Sequence, residues 1–204
     1  ITIIVFVLFY PIVFEGKTFG SPDSLNPRSS SMILEQSRKT DGQFPLWQPW
    51  IFSGMPTADA FTYISSLYFP NYVLNLLFKS SHLTQLLHLI FSGLGGFVFL
   101  RFLGLSRIVA FMGGTAFMIT PFMITMIVFG HGSQMMTAAY IPWIMFLTTK
   151  VMQKPIMFNV GLLAILIGLQ LQRAHVQIAY YTWMLAGAFV LFTFISTYKV
   201  PEKR

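Results

Sequence analysis

The sequence predicts an all-α membrane protein of about six transmembrane helices, with a long external first loop that carries an amphipathic helix. Three observations carry this expectation. The 204-residue chain is 55% hydrophobic and 9% charged, with a mean hydropathy of +0.67, a balance foreign to soluble globular domains. Five of the six acidic residues (Glu15, Asp23, Glu35, Asp41 and Asp59) lie in the first part of the chain; the sixth is Glu202, so no carboxylate falls between Ala60 and Pro201. Basic residues, finally, fall at every second connection between apolar runs.

A membrane span needs roughly 20 apolar residues, with about 17 tolerated. The candidate runs are Ile1–Phe14, about Leu83–Leu100, Ile108–Phe129, Met135–Thr149, Ile156–Leu171 and Ile178–Ser196. The first run is short and opens on Ile1, so the chain reads as the amino-terminal part of a longer protein with a clipped first helix. Arg101 and Arg107 follow the second run, Lys150 and Lys154 the fourth, and Lys199, Lys203 and Arg204 the sixth. Basic connections stay in the cytoplasm, which puts residues 15–82 and the two short His-containing turns outside. The whole of 1–204 is then one transmembrane domain, with 15–82 as external loop and 83–204 as helix bundle. The fourth run is short and contains Pro142, and is expected to be tilted, kinked or partly re-entrant. Gly93, Gly95, Gly96, Gly113 and Gly114 are expected to let helices approach closely.

A net charge of +7 would suggest nucleic acid in a soluble protein; here the bases are spread between apolar runs, and no nucleic-acid partner is expected. Without cysteine, the chain has no disulfides and no thiolate–metal sites. No Walker loop, dinucleotide fingerprint or serine-hydrolase signature is present.

In the loop, Asn26-Pro27 is a helix start, Arg28 to Lys39 can be helical, and Asp41-Gly42 stops it. Its apolar face (Met32, Ile33, Leu34) is narrow, suited to lying on the membrane or on the rest of the loop. The stretch Phe44 to Pro56 combines three prolines with two tryptophans and two phenylalanines. It must pack on something, and a lid at the headgroup level is one answer. Phe61, Tyr63, Tyr68, Phe69 and Tyr72 continue the aromatic belt, which serves as interfacial anchor, substrate-contacting surface, or both.

Asp23 leads the candidates for chemistry. A carboxylate near the membrane can serve as a general base; the plainer reading is a solvated loop aspartate bonding to backbone amides. Glu15 is either a second acid or a helix-end residue at the headgroups. Glu35, Asp41 and Asp59 read as solvating their loop. His131 and His175 fall at external span ends beside Gln134, Gln170, Gln172, Arg173 and Gln177, a gathering of polarity that is costly in a membrane unless used or wet. Arg173 with the histidines has the chemistry to hold a phosphate; plain headgroup-level polarity is the alternative. A metal site from the histidines is only weakly signalled. His88, inside the second span, reads as a buried hydrogen-bonded histidine.

The segments Ser21-Pro22-Asp23, Pro45-Leu46-Trp47-Gln48-Pro49 and Phe52-Ser53-Gly54-Met55-Pro56, with the turns at Gly130-His131-Gly132 and Leu171 to Tyr181, resemble the YfhO-type bacterial membrane proteins. That family is similar to GT-C glycosyltransferases. The resemblance implies a multi-pass enzyme of the bacterial cytoplasmic membrane, moving a sugar from a polyprenyl-phosphate donor to a cell-envelope acceptor on the external face. It also implies that Asp23, by position, is the catalytic base or a metal ligand. No second acid adjoins Asp23 for a paired-carboxylate site, and a divalent metal is left open as cofactor. Membrane lipids are the remaining expected partner. The alternative function is a multi-span transporter or flippase-like protein, which would place ionisable groups near mid-membrane; their collection at one rim favours the enzyme. A third reading is a packing half of a larger protein, inactive alone.

Overall fold

The computed structural model describes residues 1–21, 23, 25–43, 45–50, 52–57, 68–77 and 81–198. Asp59, Phe61, Tyr63, Pro22, Phe44 and the carboxy-terminal bases lie outside the described residues. Within them the chain is almost wholly helical: α1 (Thr2–Leu8), α2 (Tyr10–Phe14), α3 (Leu25–Asp41), β1 (Trp47–Gln48), β2 (Met55–Pro56), α4 (Asn71–Leu77), α5 (Ser81–Phe102), α6 (Arg107–Met118), α7 (Pro121–Val128), α8 (Gly132–Ala138), α9 (Ile141–Gln153), α10 (Met157–Leu171) and α11 (Val176–Tyr198). Three stretches are long and apolar enough to cross a membrane: His82–Phe102, Arg107–Val128 and Val176–Ser196. The other apolar runs form helices that are individually shorter.

Proline explains much of that shortening. It lacks an N–H, its ring clashes with the carbonyl four residues back, and it pushes the preceding residue out of helical geometry. The first run breaks at Phe9, just ahead of Pro11. The third breaks at Ile119–Thr120, with Thr120 extended (φ −54°, ψ 148°) before Pro121. The fourth is interrupted at Ala139–Tyr140, two residues before Pro142, with both residues still in right-handed helical backbone (φ −59°, ψ −21° and φ −79°, ψ −18°). α10 is uninterrupted but holds only 15 residues, a rise of roughly 22 Å against a hydrocarbon core of about 30 Å.

α5 is the axis of the bundle. Half of its spanning window is buried, against 11% for α11, and it packs on α1, α2, α6, α8 and α9, most extensively on α6. The glycines allow this. A Cβ on Gly96 would lie 2.9 Å from the Gly114 Cα, and one on Gly114 would lie 2.5 Å from the Gly93 carbonyl oxygen. The two backbones therefore touch, as the glycine pattern predicts. Gly95 makes the equivalent space for Trp143, whose indole N–H donates to the Phe91 carbonyl at 2.8 Å. The main core combines Val5, Leu86, Leu89 and Ile90 with Met118, Met123, Met135 and Met136, unbranched thioethers that fill the irregular space left by broken helices. A smaller cluster joins Tyr68, Tyr140 and Ile144 to α10. α11 is apolar on all sides and mostly exposed, which fits a helix bathed in lipid.

In the loop, α3 starts at Leu25, a residue earlier than the Asn26 cap expected from sequence, and ends at Asp41 before Gly42. Of its apolar residues Leu34 is buried, whereas Met32 and Ile33 are exposed.

The α5–α6 contact gives a sharp prediction. Gly114→Ala has only backbone to displace and should cost about 1–3 kcal/mol. Gly168→Ala, where an added methyl meets nothing within 4 Å, should be neutral or stabilising by up to about 1 kcal/mol. Thermal unfolding in detergent separates the two; equal melting temperatures would contradict this packing.

Candidate functional site

Two turns and the two ends of the first loop build the site. The first turn, Phe129–His131, links α7 to α8. Gly130 reverses the chain there in the left-handed region (φ 89°), where only glycine sits without strain. The second, Gln172–His175, links α10 to α11. In it Ala174 is held at φ 59°, a conformation that costs a residue with a Cβ about 1–2 kcal/mol.

The amino-terminal end of the loop sits on the first turn. The Ser21 hydroxyl donates to the Phe129 carbonyl at 2.6 Å and accepts the Asp23 amide at 3.3 Å. Asp23 is thereby carried over His131, two residues beyond Phe129, and its Oδ2 lies 3.4 Å from His131 Nε2. Both side chains remain open to solvent, 58% and 43% exposed, and this is an ion pair whenever His131 is protonated. His131 also acts electrostatically on His175.

The carboxy-terminal end sits on the second turn. The Phe69 amide donates to Gln172 Oε1 at 3.1 Å. The Tyr68 ring covers Arg173, whose guanidinium carbon is 4.2 Å from the ring centroid. Arg173 also donates to the Met136 sulfur at 2.8 Å and is only 1% exposed. The Tyr68 hydroxyl meets Tyr140 OH at 2.5 Å and His88 Nε2 at 2.9 Å, while His88 Nδ1 meets the Thr84 carbonyl at 2.8 Å. A carbonyl only accepts, so Nδ1 carries a proton; in the neutral ring Nε2 accepts from Tyr68, whose oxygen then accepts from Tyr140. Burial raises the Tyr68 phenol above its ordinary range, against the Tyr140 hydrogen bond and the Arg173 charge, which lower it.

The structure thus brings Asp23, His131 and His175 into one neighbourhood and sets Arg173 beneath Tyr68 in the adjoining turn. Arg173 is inside the protein, not at the open rim the sequence suggests, because Tyr68 lies on it. Gln134 is half-buried, its backbone N–H donating to the His131 carbonyl at 3.0 Å. Glu15 ends α2 and pairs with Lys17 at 2.7 Å; among the described residues it joins neither Asp23 nor His131. Glu35 pairs with Arg38 and Asp41 accepts from Ser37, as expected of loop-solvating acids. Gln170 is fully buried, its amide donating to the Thr137 carbonyl and the Thr182 hydroxyl, and so ties α10 to α8 and α11. His88 is the buried, hydrogen-bonded histidine that the sequence suggests. Ser21 and Tyr140 are the residues sequence reasoning missed. Tyr140 carried one usable signal, its place at the helix break before Pro142. Among the described residues, no group of three His, Asp or Glu side chains converges to hold a metal ion.

No family model, curated protein or solved structure matches the chain.

Two outcomes follow from this geometry. Tyr68→Phe keeps the ring over Arg173 but removes the hydroxyl shared by His88 and Tyr140, and should cost about 1–3 kcal/mol in thermal unfolding. Tyr68→Leu, losing ring and hydroxyl, should cost more. The second concerns pH. Burial, with a smaller push from His131, lowers the His175 pKa below 6.5, against a backbone hydrogen bond that raises it. The unfolded chain therefore binds more protons in the window below that value, and stability falls as pH drops through it. His175→Gln should flatten the acid side of the melting-temperature profile; an unchanged slope would refute the assignment.

Proposed function

We propose that this chain is a module of a GT-C-like membrane glycosyltransferase, YfhO-type in character, that transfers a sugar from a polyprenyl-phosphate donor to a cell-envelope acceptor. In this reading six spans keep both ends in the bacterial cytoplasm, and residues 15–82 form an external loop. The observation that carries the proposal is the solvent-open Asp23 carboxylate seated on His131, with His175 and the buried Arg173 charge nearby. Both ends of the loop are fastened to the two turns predicted to lie on its own side of the membrane, which supports that topology.

In the transfer, the acceptor oxygen forms a bond to the anomeric carbon while the bond from that carbon to the donor phosphate oxygen breaks. The electron pair leaves with the polyprenyl phosphate, and the acceptor's proton passes to Asp23. His131 orients the carboxylate and, when protonated, pairs with it. His131 and His175 offer N–H donors to the phosphate. Arg173 adds positive charge from below; direct contact with phosphate requires Tyr68 to move aside. Gln134 extends the donor set, and Glu15 lies at the loop's beginning as a contact for the acceptor. The buried chain of Tyr140, Tyr68 and His88 is the observation that favours the alternative, a transporter or flippase-like protein. It is a set of buried hydrogen bonds that ties the loop to α5 and to the break before α9, and the accessible polar groups remain at the loop.

The test is Asp23→Asn in the complete gene product, assayed in membranes for sugar transfer from polyprenyl-phosphate donors at matched expression. Loss of a general base should lower transfer by about 10²–10⁴-fold. Equal transfer by the variant would place the base elsewhere. No transfer by the unaltered protein over a broad donor panel would favour the transporter.

A further inference from the structure

The small hairpin formed by β1 and β2 is built inside out. Its pairing is antiparallel, Trp47 opposite Pro56 and Gln48 opposite Met55, and the Thr57 amide closes it on the Leu46 carbonyl at 2.9 Å. The polar side chains of Gln48 and Thr57 are completely buried. The large apolar ones face outward: Leu46 is 78% exposed, Trp47 54%, Trp50 48% and Phe52 77%. In water the sorting would be the reverse. The arrangement is also held in shape. Phe52, Ser53 and Gly54 all take positive φ, and the Trp47 indole lies so close on Gly54 that a Cβ there would sit 2.6 Å from its ring. The sequence places no charged residue between Asp41 and Asp59.

We propose that this tip docks into the headgroup–acyl boundary of the bilayer that the protein's own helices cross. Two observations choose lipid over another protein. Both ends of the loop are fastened at the ends of spanning stretches: Ser21 to the carbonyl of Phe129, next after Arg107–Val128, and Phe69 to Gln172, shortly before Val176–Ser196. The hairpin is therefore leashed to the bilayer surface. Its composition, two tryptophans flanked by Leu and Phe without charge, is that of side chains with an apolar body and a polar edge, which sit at that depth. The tip then holds the middle of the loop at that depth. Docking does not depend on what reaction the protein performs.

The chain has no cysteine, so single labelling sites can be introduced without further change. Leu46→Cys and Trp50→Cys, each carrying an environment-sensitive fluorophore, are compared with Lys39→Cys on α3 in nanodiscs of phosphatidylethanolamine and phosphatidylglycerol. All three side chains are exposed, so substitution leaves the fold alone. Both hairpin labels should emit to the blue and lose about half their intensity or more when the acyl chains are brominated, and the Lys39 label should do neither. Water-like, unquenched emission from the hairpin overturns the proposal. Blue emission without quenching by bromolipid overturns it as well, since the tip is then covered by protein.

Discussion

The stacking of Arg173 on Tyr68 is the contact on which the rest of this arrangement depends. Through it the carboxy-terminal end of the loop, α5, α8, the break before α9 and the turn after α10 meet at one point. A cation withdrawn from water is costly unless other groups replace its hydration. A guanidinium suits such a place better than an ammonium. It is planar, weakly hydrated, and stacks on an aromatic face while its edge still donates. Such a contact is worth roughly 2 kcal/mol or more when desolvated. A lysine would keep the charge but lose both the stacking plane and the fork of donors. Tyr68 in turn can lie flat on Arg173 because its hydroxyl is held at the far end by His88 and Tyr140.

Proline is the second constraint, and it shows how far the fold was legible in the sequence. The apolar runs were plain, and so was their helical nature, since a backbone in lipid must satisfy its own hydrogen bonds. The close glycine contacts between α5 and α6 could be read from Gly93, Gly96 and Gly114. What apolar pattern alone did not reveal was that the first and third runs would break like the fourth, at Phe9 and at Thr120. Hydropathy is blind to a missing N–H, and Pro11 and Pro121 lie inside otherwise uniform apolar sequence. The breaks matter, because Tyr140 sits at one of them and Phe9 at another packs into the core.

The site was legible in its residue types and less so in its layout. Asp23, His131 and His175 stood out because ionisable groups are rare in this chain, and the structure draws them together. Arg173 stood out for the same reason, but its burial under Tyr68 is a tertiary fact: the two residues are far apart in sequence, and neither carries a local signal for that partnership. Ser21 was invisible for a different reason. A serine in a loop is ordinary until its hydroxyl is seen bridging the Phe129 carbonyl and the Asp23 amide.

The two ends of the loop are held by contacts of different kinds. At the Tyr68 end the ring on the guanidinium and the two phenolic hydrogen bonds are buried, and the Phe69 amide on Gln172 is exposed. At the Asp23 end Ser21 donates to the Phe129 carbonyl and Phe19 packs on Phe9 and His82, while the carboxylate–imidazole contact is exposed, and exposed ion pairs contribute only about 0–1 kcal/mol. The carboxylate stands in water, where its charge stays hydrated, and the arginine, whose lost hydration must be replaced by protein groups, lies beneath the Tyr68 ring. The distribution of charge between the two turns, open at His131 and closed at Arg173, follows the same division.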